Sequence, residues 1–186
     1  EVGSVALGVG HVALNLLLPK VLPQLTANHP QLDIRVDVQP AVTLLDRLLE
    51  EKIEFFIADD QQFSNHPQVE TIPLTELSIG FFVRSGHPLS RQTRTTVEQL
   101  KQYNLASPSF VNKMDANNRS HISPILEWEW AGKISCDYID VLIGVTLQSD
   151  AVLLTAKAIV AHQLKRGSLA MLNVDKPYEK MRSQLK

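Results

Sequence analysis

The sequence lacks several features that would assign it to a particular class of protein. Its 186 residues contain one cysteine, Cys136, which excludes an internal disulfide and fits a reducing compartment. No apolar run reaches the roughly 18 residues that a membrane-spanning helix needs, and the net charge of −2 offers no basic face for a DNA duplex. We therefore expect a globular, cytoplasmic chain that itself contacts neither a membrane nor DNA.

Patterns that carry catalysis or metal binding are also missing. No G-x-S-x-G nucleophile elbow occurs, and no two histidines have the i, i+4 spacing of zinc proteases. His29 and His87 each precede a proline, which predicts surface turns. His11 follows a predicted strand, where it fits either a turn residue or a ligand contact. We predict no catalytic residue, no metal site and no cofactor.

Alternating strand and helix patterns are what the first third of the chain contains. Apolar and polar residues predict strands over 4–9, 32–38 and 53–58, and helices over 13–27 and 43–50. Thr43 is a candidate helix cap, and Pro19 and Pro23 predict kinks in the first helix. This order builds a parallel sheet with a cleft at the strand ends.

The alternation continues in a second lobe that begins near residues 74–77. A strand over 69–73 precedes this boundary. Further strands are predicted over 77–83, from 105 to an end within 107–110, and over 133–138, 151–155 and 168–174, and helices over 95–102, 122–130, 141–147 and 156–165. The last of these helices is closed by Gly167, and Trp130 is assigned a packing role.

One motif favours a different class of protein. The segment Gly8–Ala13 matches the G-x-G-x-x-A form of the dinucleotide fingerprint, after a strand and before a helix. Asp37 on the second strand would then hold a ribose hydroxyl. Two prolines interrupt the supporting helix, so a dinucleotide-binding enzyme domain is kept only as an alternative.

The order and spacing of several short segments carry a resemblance that covers nearly the whole chain. They are Gly8–Pro19, His29-Pro30, Leu48–Ala58, Pro73-Leu74, His87–Leu89, Val97–Leu100 and Gly167–Leu172. Together they resemble the effector-binding domain of LysR-type transcriptional regulators. The chain departs from that pattern at residues 148–155, at Glu51 in place of glycine and at Glu54 in place of aspartate.

The resemblance implies an α/β fold of two Rossmann-like lobes joined by a hinge, similar to type II periplasmic binding proteins. Lobe I would comprise residues 1–75 with a return segment, 173–186, and lobe II residues 76–172. The family's N-terminal winged helix-turn-helix is absent from this chain. A solute-binding protein for transport shares the fold and remains an alternative.

The resemblance also implies a regulatory role with a small-molecule effector between the lobes. Helix N-termini at the cleft favour a small anion or carboxylate, while Asp59 and Asp140 would select a hydrogen-bond donor. The partners implied are a second or further copies, in a homodimer or tetramer, and DNA through the missing domain. The contacts carried over by position are His11, Val12, Ala13, Pro40, Ala41, Thr43, Asp59, Ser107, Pro108, Ser109, Asp140 and Thr155.

Overall fold

The computed structural model describes residues 3–58, 66–109, 129–174 and 182–185. The chain divides into two compact units, the first formed by Glu1–Glu76 with Ser183–Lys186 and the second by Leu77–Arg182. None of the helices in the described ranges is both long and apolar enough to cross a membrane.

The first unit is a three-stranded parallel sheet with helices following its strands. Its elements are β1 (Ser4–Val9), α1 (His11–Leu16), α2 (Leu18–Asn28), β2 (Asp33–Val38), α3 (Ala41–Leu49) and β3 (Phe55–Ile57). The strand order is β2-β1-β3, and both pairings of β1 are parallel, which confirms the predicted parallel sheet.

The predicted single helix over 13–27 is wrong, because the structure has two helices that meet at Leu17. A proline inside a helix lacks the N–H that would bond four residues back, and its ring clashes with that carbonyl. The chain instead restarts the helix at Leu18, so that Pro19 lies in the first turn of α2. Pro23 remains inside α2, which continues to Asn28.

The helix predicted over 43–50, which is α3 in the structure, also begins earlier than predicted. It starts at Ala41 with Pro40 as its N-cap residue, so Thr43 lies inside the first turn and does not cap it. At the other end, Glu51 has a φ of 57°, the left-handed conformation that glycine usually supplies after a helix.

The remaining elements include the strands of a mixed sheet. They are β4 (Thr75–Arg84), a 3-10 turn (Pro88–Arg91), α4 (Val97–Leu100), β5 (Asn104–Ser107), β6 (Gly132–Ser135), α5 (Ile139–Gln148), β7 (Val152–Ala156), α6 (Ala161–Lys165), β8 (Leu169–Met171) and β9 (Arg182–Leu185). The order is β6-β5-β7-β4-β8, and β9 also pairs with β4. β5 is parallel to β6 and β7, whereas β4 is antiparallel to β7 and β8.

Both faces of this sheet are covered. Phe81 and Phe82 are neighbours on β4 and therefore point to opposite faces. Each is buried in a different apolar cluster. Trp130 joins the cluster of Phe81, with ring centroids 6.2 Å apart, which confirms its packing role.

Several sequence predictions for this part of the chain need correction. Residues 69–73 form no strand, and residues 156–160 end β7 and turn before α6 instead of opening a helix. The helix over 122–130 falls almost wholly outside the described residues. Gly167 has a φ of 70° after α6, as its predicted role in closing that helix requires.

His87 is fully buried, so its prediction as a surface turn is wrong. Its Nδ1 accepts the N–H of Leu89 at 3.0 Å, and its Nε2 lies 3.2 Å from the carbonyl oxygen of Asp150. The ring also contacts Tyr103, with centroids 4.5 Å apart. This pattern requires the neutral ring with its proton on Nε2, and burial lowers the pKa of His87.

We predict that replacing Glu51 by glycine stabilises the first unit. The left-handed conformation costs a side chain about 1 kcal/mol or more, and glycine adopts it freely. Urea unfolding of Glu51→Gly should therefore show a gain of about 0.5 to 1 kcal/mol, since glycine also gains entropy in the unfolded chain. Glu50→Gly is the control, because Glu50 has a φ of −84° and should only lose stability.

We predict that the free energy of unfolding falls as the pH drops below about 6.5, the ordinary pKa of histidine. Below that pH His87 takes up a proton in the unfolded chain more readily than in the folded chain, because its pKa is lower in the folded state. The contribution of neutral His87 to the free energy of unfolding is therefore full above that pH and decreases as the pH falls further. Urea unfolding from pH 8 to pH 5 measures the slope. His87→Asn, which keeps an acceptor for Leu89, should flatten it, whereas exposed His29→Gln should not. Equal slopes in both variants would contradict the assignment.

Candidate functional site

The three strands of the first unit end at one edge of their sheet. Val9 at the end of β1 is the register partner of Val38 in β2 and of Ile57 in β3. Helix α1 begins at His11 and helix α3 at Ala41, each within three residues of a strand end. Two helix N-termini therefore lie along the same edge, beside the end of β3.

Neither helix start has a side-chain cap. The N-cap residues are Gly10 and Pro40, and neither gives a side-chain cap hydrogen bond. Their carbonyls accept the first helical bonds, from Leu14 at 2.9 Å and from Leu44 at 3.0 Å. The first turn of α3 and the positive end of its dipole thus offer N–H groups and partial positive charge to a ligand.

Six of the seven predicted first-unit contacts lie at this edge, but they differ in accessibility. Ala13 is fully buried, so its side chain belongs to the core and only its backbone is available. Pro40 and Thr43 are exposed, whereas His11, Val12 and Ala41 are half-buried. Asp59 lies outside the described residues.

The second unit has a similar edge. Ser107 at the end of β5 is the register partner of Ser135 at the end of β6, and the Ser107 carbonyl accepts the N–H of Cys136 at 3.3 Å. Helix α5 starts at Ile139 after an N-cap residue, Tyr138, that gives no side-chain cap.

The predicted second-unit contacts lie at this edge with different accessibility. Ser107 and Pro108 are buried and Ser109 is half-buried, so this turn offers little open surface. Asp140 is exposed in the first turn of α5. Thr155 lies one residue before the end of β7 and is buried.

The sequence patterns did not indicate two further residues at this edge, Asp137 and Tyr138. The Oδ1 atom of Asp137 is buried and has no hydrogen-bond partner among the described residues. Tyr138 is 77% exposed, unusually high for a large aromatic side chain. Both follow β6, which the sequence predicts to run on to residue 138. The signal that would have found them is the change from alternating residues to the polar pair Cys136-Asp137.

The dinucleotide alternative loses its supporting residues. A Cβ on Gly8 would lie 2.6 Å from Leu44 Cδ2 and 2.8 Å from Ile53 Cδ1, so packing alone requires this glycine. Asp37, assigned to a ribose hydroxyl, instead pairs with Arg47 at 2.5 Å. Within the described ranges, no three His, Cys, Asp or Glu residues gather to hold a metal ion.

Comparison with known proteins gives concordant matches. A family model for the LysR substrate binding domain matches residues 1–185. The chain is 28% identical over 174 residues to the SDS degradation transcriptional activation protein of a Pseudomonas species. That alignment covers 92% of this chain and 56% of that protein, so the chain spans about half the length of this curated relative.

Solved structures match the fold over nearly the whole chain. A putative transcriptional regulator from Vibrio parahaemolyticus has a TM-score of 0.74 at 11% identity, over 98% of this chain and 83% of that one. The bromide-bound regulatory domain of HypT from Salmonella typhimurium has a TM-score of 0.71 at 17% identity, over 100% of this chain and 84% of that one. At these identities the likeness shows the fold alone.

We predict that Gly8→Ala destabilises the first unit by about 2 kcal/mol, because the added Cβ overlaps buried neighbours. Gly10→Ala should cost less than about 1 kcal/mol, since its Cβ would lie 3.5 Å from the Ala58 Cβ, an ordinary contact. Chemical unfolding of the two variants tests the packing explanation. A larger loss for Gly10→Ala than for Gly8→Ala would contradict the packing explanation.

Proposed function

Because this chain belongs to the LysR substrate-binding domain family, we propose that it senses a small anionic effector for a transcriptional regulator. The family match confirms the resemblance found in the sequence. The solved regulatory domains confirm the predicted fold class, an α/β fold of the periplasmic-binding-protein type.

The regulatory role follows from the family and from the curated relative, which is a transcriptional activation protein. We assign DNA binding to a part of the protein outside this chain, consistent with the chain's net charge of −2. The effector would act by binding one conformation more tightly than another, because a ligand shifts an equilibrium only by its differential affinity. Nothing in the described residues favours the transport alternative.

The observation that carries the anion proposal is the pair of uncapped helix starts at the first unit's strand edge. The first-turn N–H groups of α3 and the positive ends of the two helix dipoles would stabilise negative charge at this edge. Among proteins of this fold, the HypT regulatory domain is bromide-bound, and the curated relative is named for the degradation of SDS. These names guide the choice of anions to test.

The contacts we assign to the anion are the backbone N–H groups of Val12, Ala41 and Thr43. Asp140 is exposed in the first turn of α5, so a second anion there would meet a carboxylate. The second unit's edge, with Asp137 and Asp140, therefore favours a hydrogen-bond donor or a cationic group. Assembly into a homodimer or tetramer, which the resemblance places on residues 14–27 and 156–165, stays a prediction.

We predict that Thr43→Asp weakens anion binding about thirtyfold without loss of folding stability. A carboxylate about 7 Å from a bound anion repels it by about 2 kcal/mol at an effective dielectric of 20. The same negative charge in the first turn of α3 interacts favourably with the helix dipole, so the free energy of unfolding should stay level or rise. Calorimetric titration with bromide, sulfate, small carboxylates and a short-chain alkyl sulfate measures the first effect, and urea unfolding the second.

Gln24→Glu is the matched control, because it adds one negative charge to an exposed position of α2, outside the strand edge. It should leave anion affinity within about twofold of the parent. Binding of none of these anions, or equal binding to the parent and Thr43→Asp, would overturn the anion assignment. The family membership would stand in either case.

A further inference from the structure

A cavity lies in the first unit, beside β3, an outer strand of its sheet. It has a volume of about 350 Å³ and is bordered by Leu48, by β3 with Ala58, and by residues 69–72 and Leu74. Volumes of this size are typical of small-molecule pockets. Its borders lie entirely within the first unit, so the pocket is a feature of that unit by itself.

The pocket leaves an unusual amount of apolar surface open. Phe55 is 46% exposed, Ile72 66% and Leu74 51%, and all three border the same cavity. Large apolar side chains that cluster on an open surface mark binding sites more often than isolated ones do. The inner wall is continuous with the core, since Leu48 and Phe56 pack against buried Leu44.

The charge of the pocket restricts what it holds. Glu70 is the one ionisable side chain among the ten bordering residues, and Thr71 adds a hydroxyl. None of the ten described residues that border the cavity is lysine, arginine or histidine, so among them an anionic group would meet a carboxylate and no cation. An uncharged group that donates a hydrogen bond is compatible with both Glu70 and the apolar walls.

We propose that this pocket is a binding site for an uncharged apolar molecule that carries a hydrogen-bond donor, such as a medium-chain alcohol. Its hydrocarbon part lies against Phe55, Ile57 and Ile72, and its hydroxyl donates to the Glu70 carboxylate. The site is distinct from the strand edge assigned to the anionic effector. Its one ionisable side chain is a carboxylate, so it disfavours an anion, whereas the strand edge favours one. The pocket proposal does not depend on the proposed function, because it is argued only from the residues that border the pocket.

The test is titration of the isotope-labelled 186-residue chain with 1-hexanol, followed by amide and methyl NMR shifts. The expected result is a saturable shift confined to β3 and residues 69–74. Hexanoate should bind at least about tenfold more weakly, because its carboxylate approaches Glu70. Glu70→Gln removes that repulsion and should narrow the difference between the two ligands to within about threefold.

Variants separate the pocket from general apolar adsorption. Ile72→Lys places a charge in an exposed wall and should weaken hexanol binding about tenfold. Leu49→Lys is the matched control, because Leu49 is also an exposed apolar residue of the first unit but does not border the cavity. It should leave the affinity unchanged, and thermal unfolding checks that both variants fold.

Several outcomes would overturn the proposal. One is hexanol shifts that never saturate or that spread over the surface, and another is equal losses in Ile72→Lys and Leu49→Lys. Equal binding of hexanol and hexanoate to the parent would remove the role of Glu70. If hexanol does not bind and Ile72→Lys lowers the sedimentation mass, the face is an interface between copies instead. The anion titrations are unaffected by any of these results.

Discussion

Parallel pairing of β1 with both of its neighbours is the constraint on which the first unit depends. Because the strands run in the same direction and in register, their carboxyl ends coincide at Val9, Val38 and Ile57. Each connection to the next element must then leave from that edge, which is why two helices begin there. The site is a consequence of strand direction before it is a consequence of any particular side chain.

The packing that permits this arrangement is unusually tight at one point. Gly8 in the middle strand lets Leu44, Ile53 and Phe56 approach closer than a methyl group would allow. The same glycine suggested a nucleotide-binding fingerprint, since a close approach of backbone is what both explanations share. The structure distinguishes them, because protein side chains fill the space and Asp37 is paired with Arg47.

Sequence periodicity was sufficient for the alternation of elements and for the parallel sheet, because apolar spacing reports burial directly. It failed where the deciding interaction is distant in sequence. His87 follows a turn pattern, yet the carbonyl that holds its ring belongs to Asp150. Helix boundaries failed for a local reason, as at Leu17 and Ala41, where proline geometry outweighs the apolar stripe. The predicted interlobe cleft and the individual effector contacts stay predictions.

The two proposed sites of the first unit meet at the end of β3. Ile57 borders the apolar pocket, while its carbonyl accepts the N–H of Gly10 at 2.9 Å, and Gly10 is the N-cap residue of α1. A shift of β3 on filling the pocket would therefore be transmitted by one backbone hydrogen bond to the helix start assigned to the anion. Because linkage is reciprocal, the anion would change the pocket's affinity by the same factor. The coupling requires no contact between the two ligands, only a strand that serves as a wall for one and as an anchor for the other.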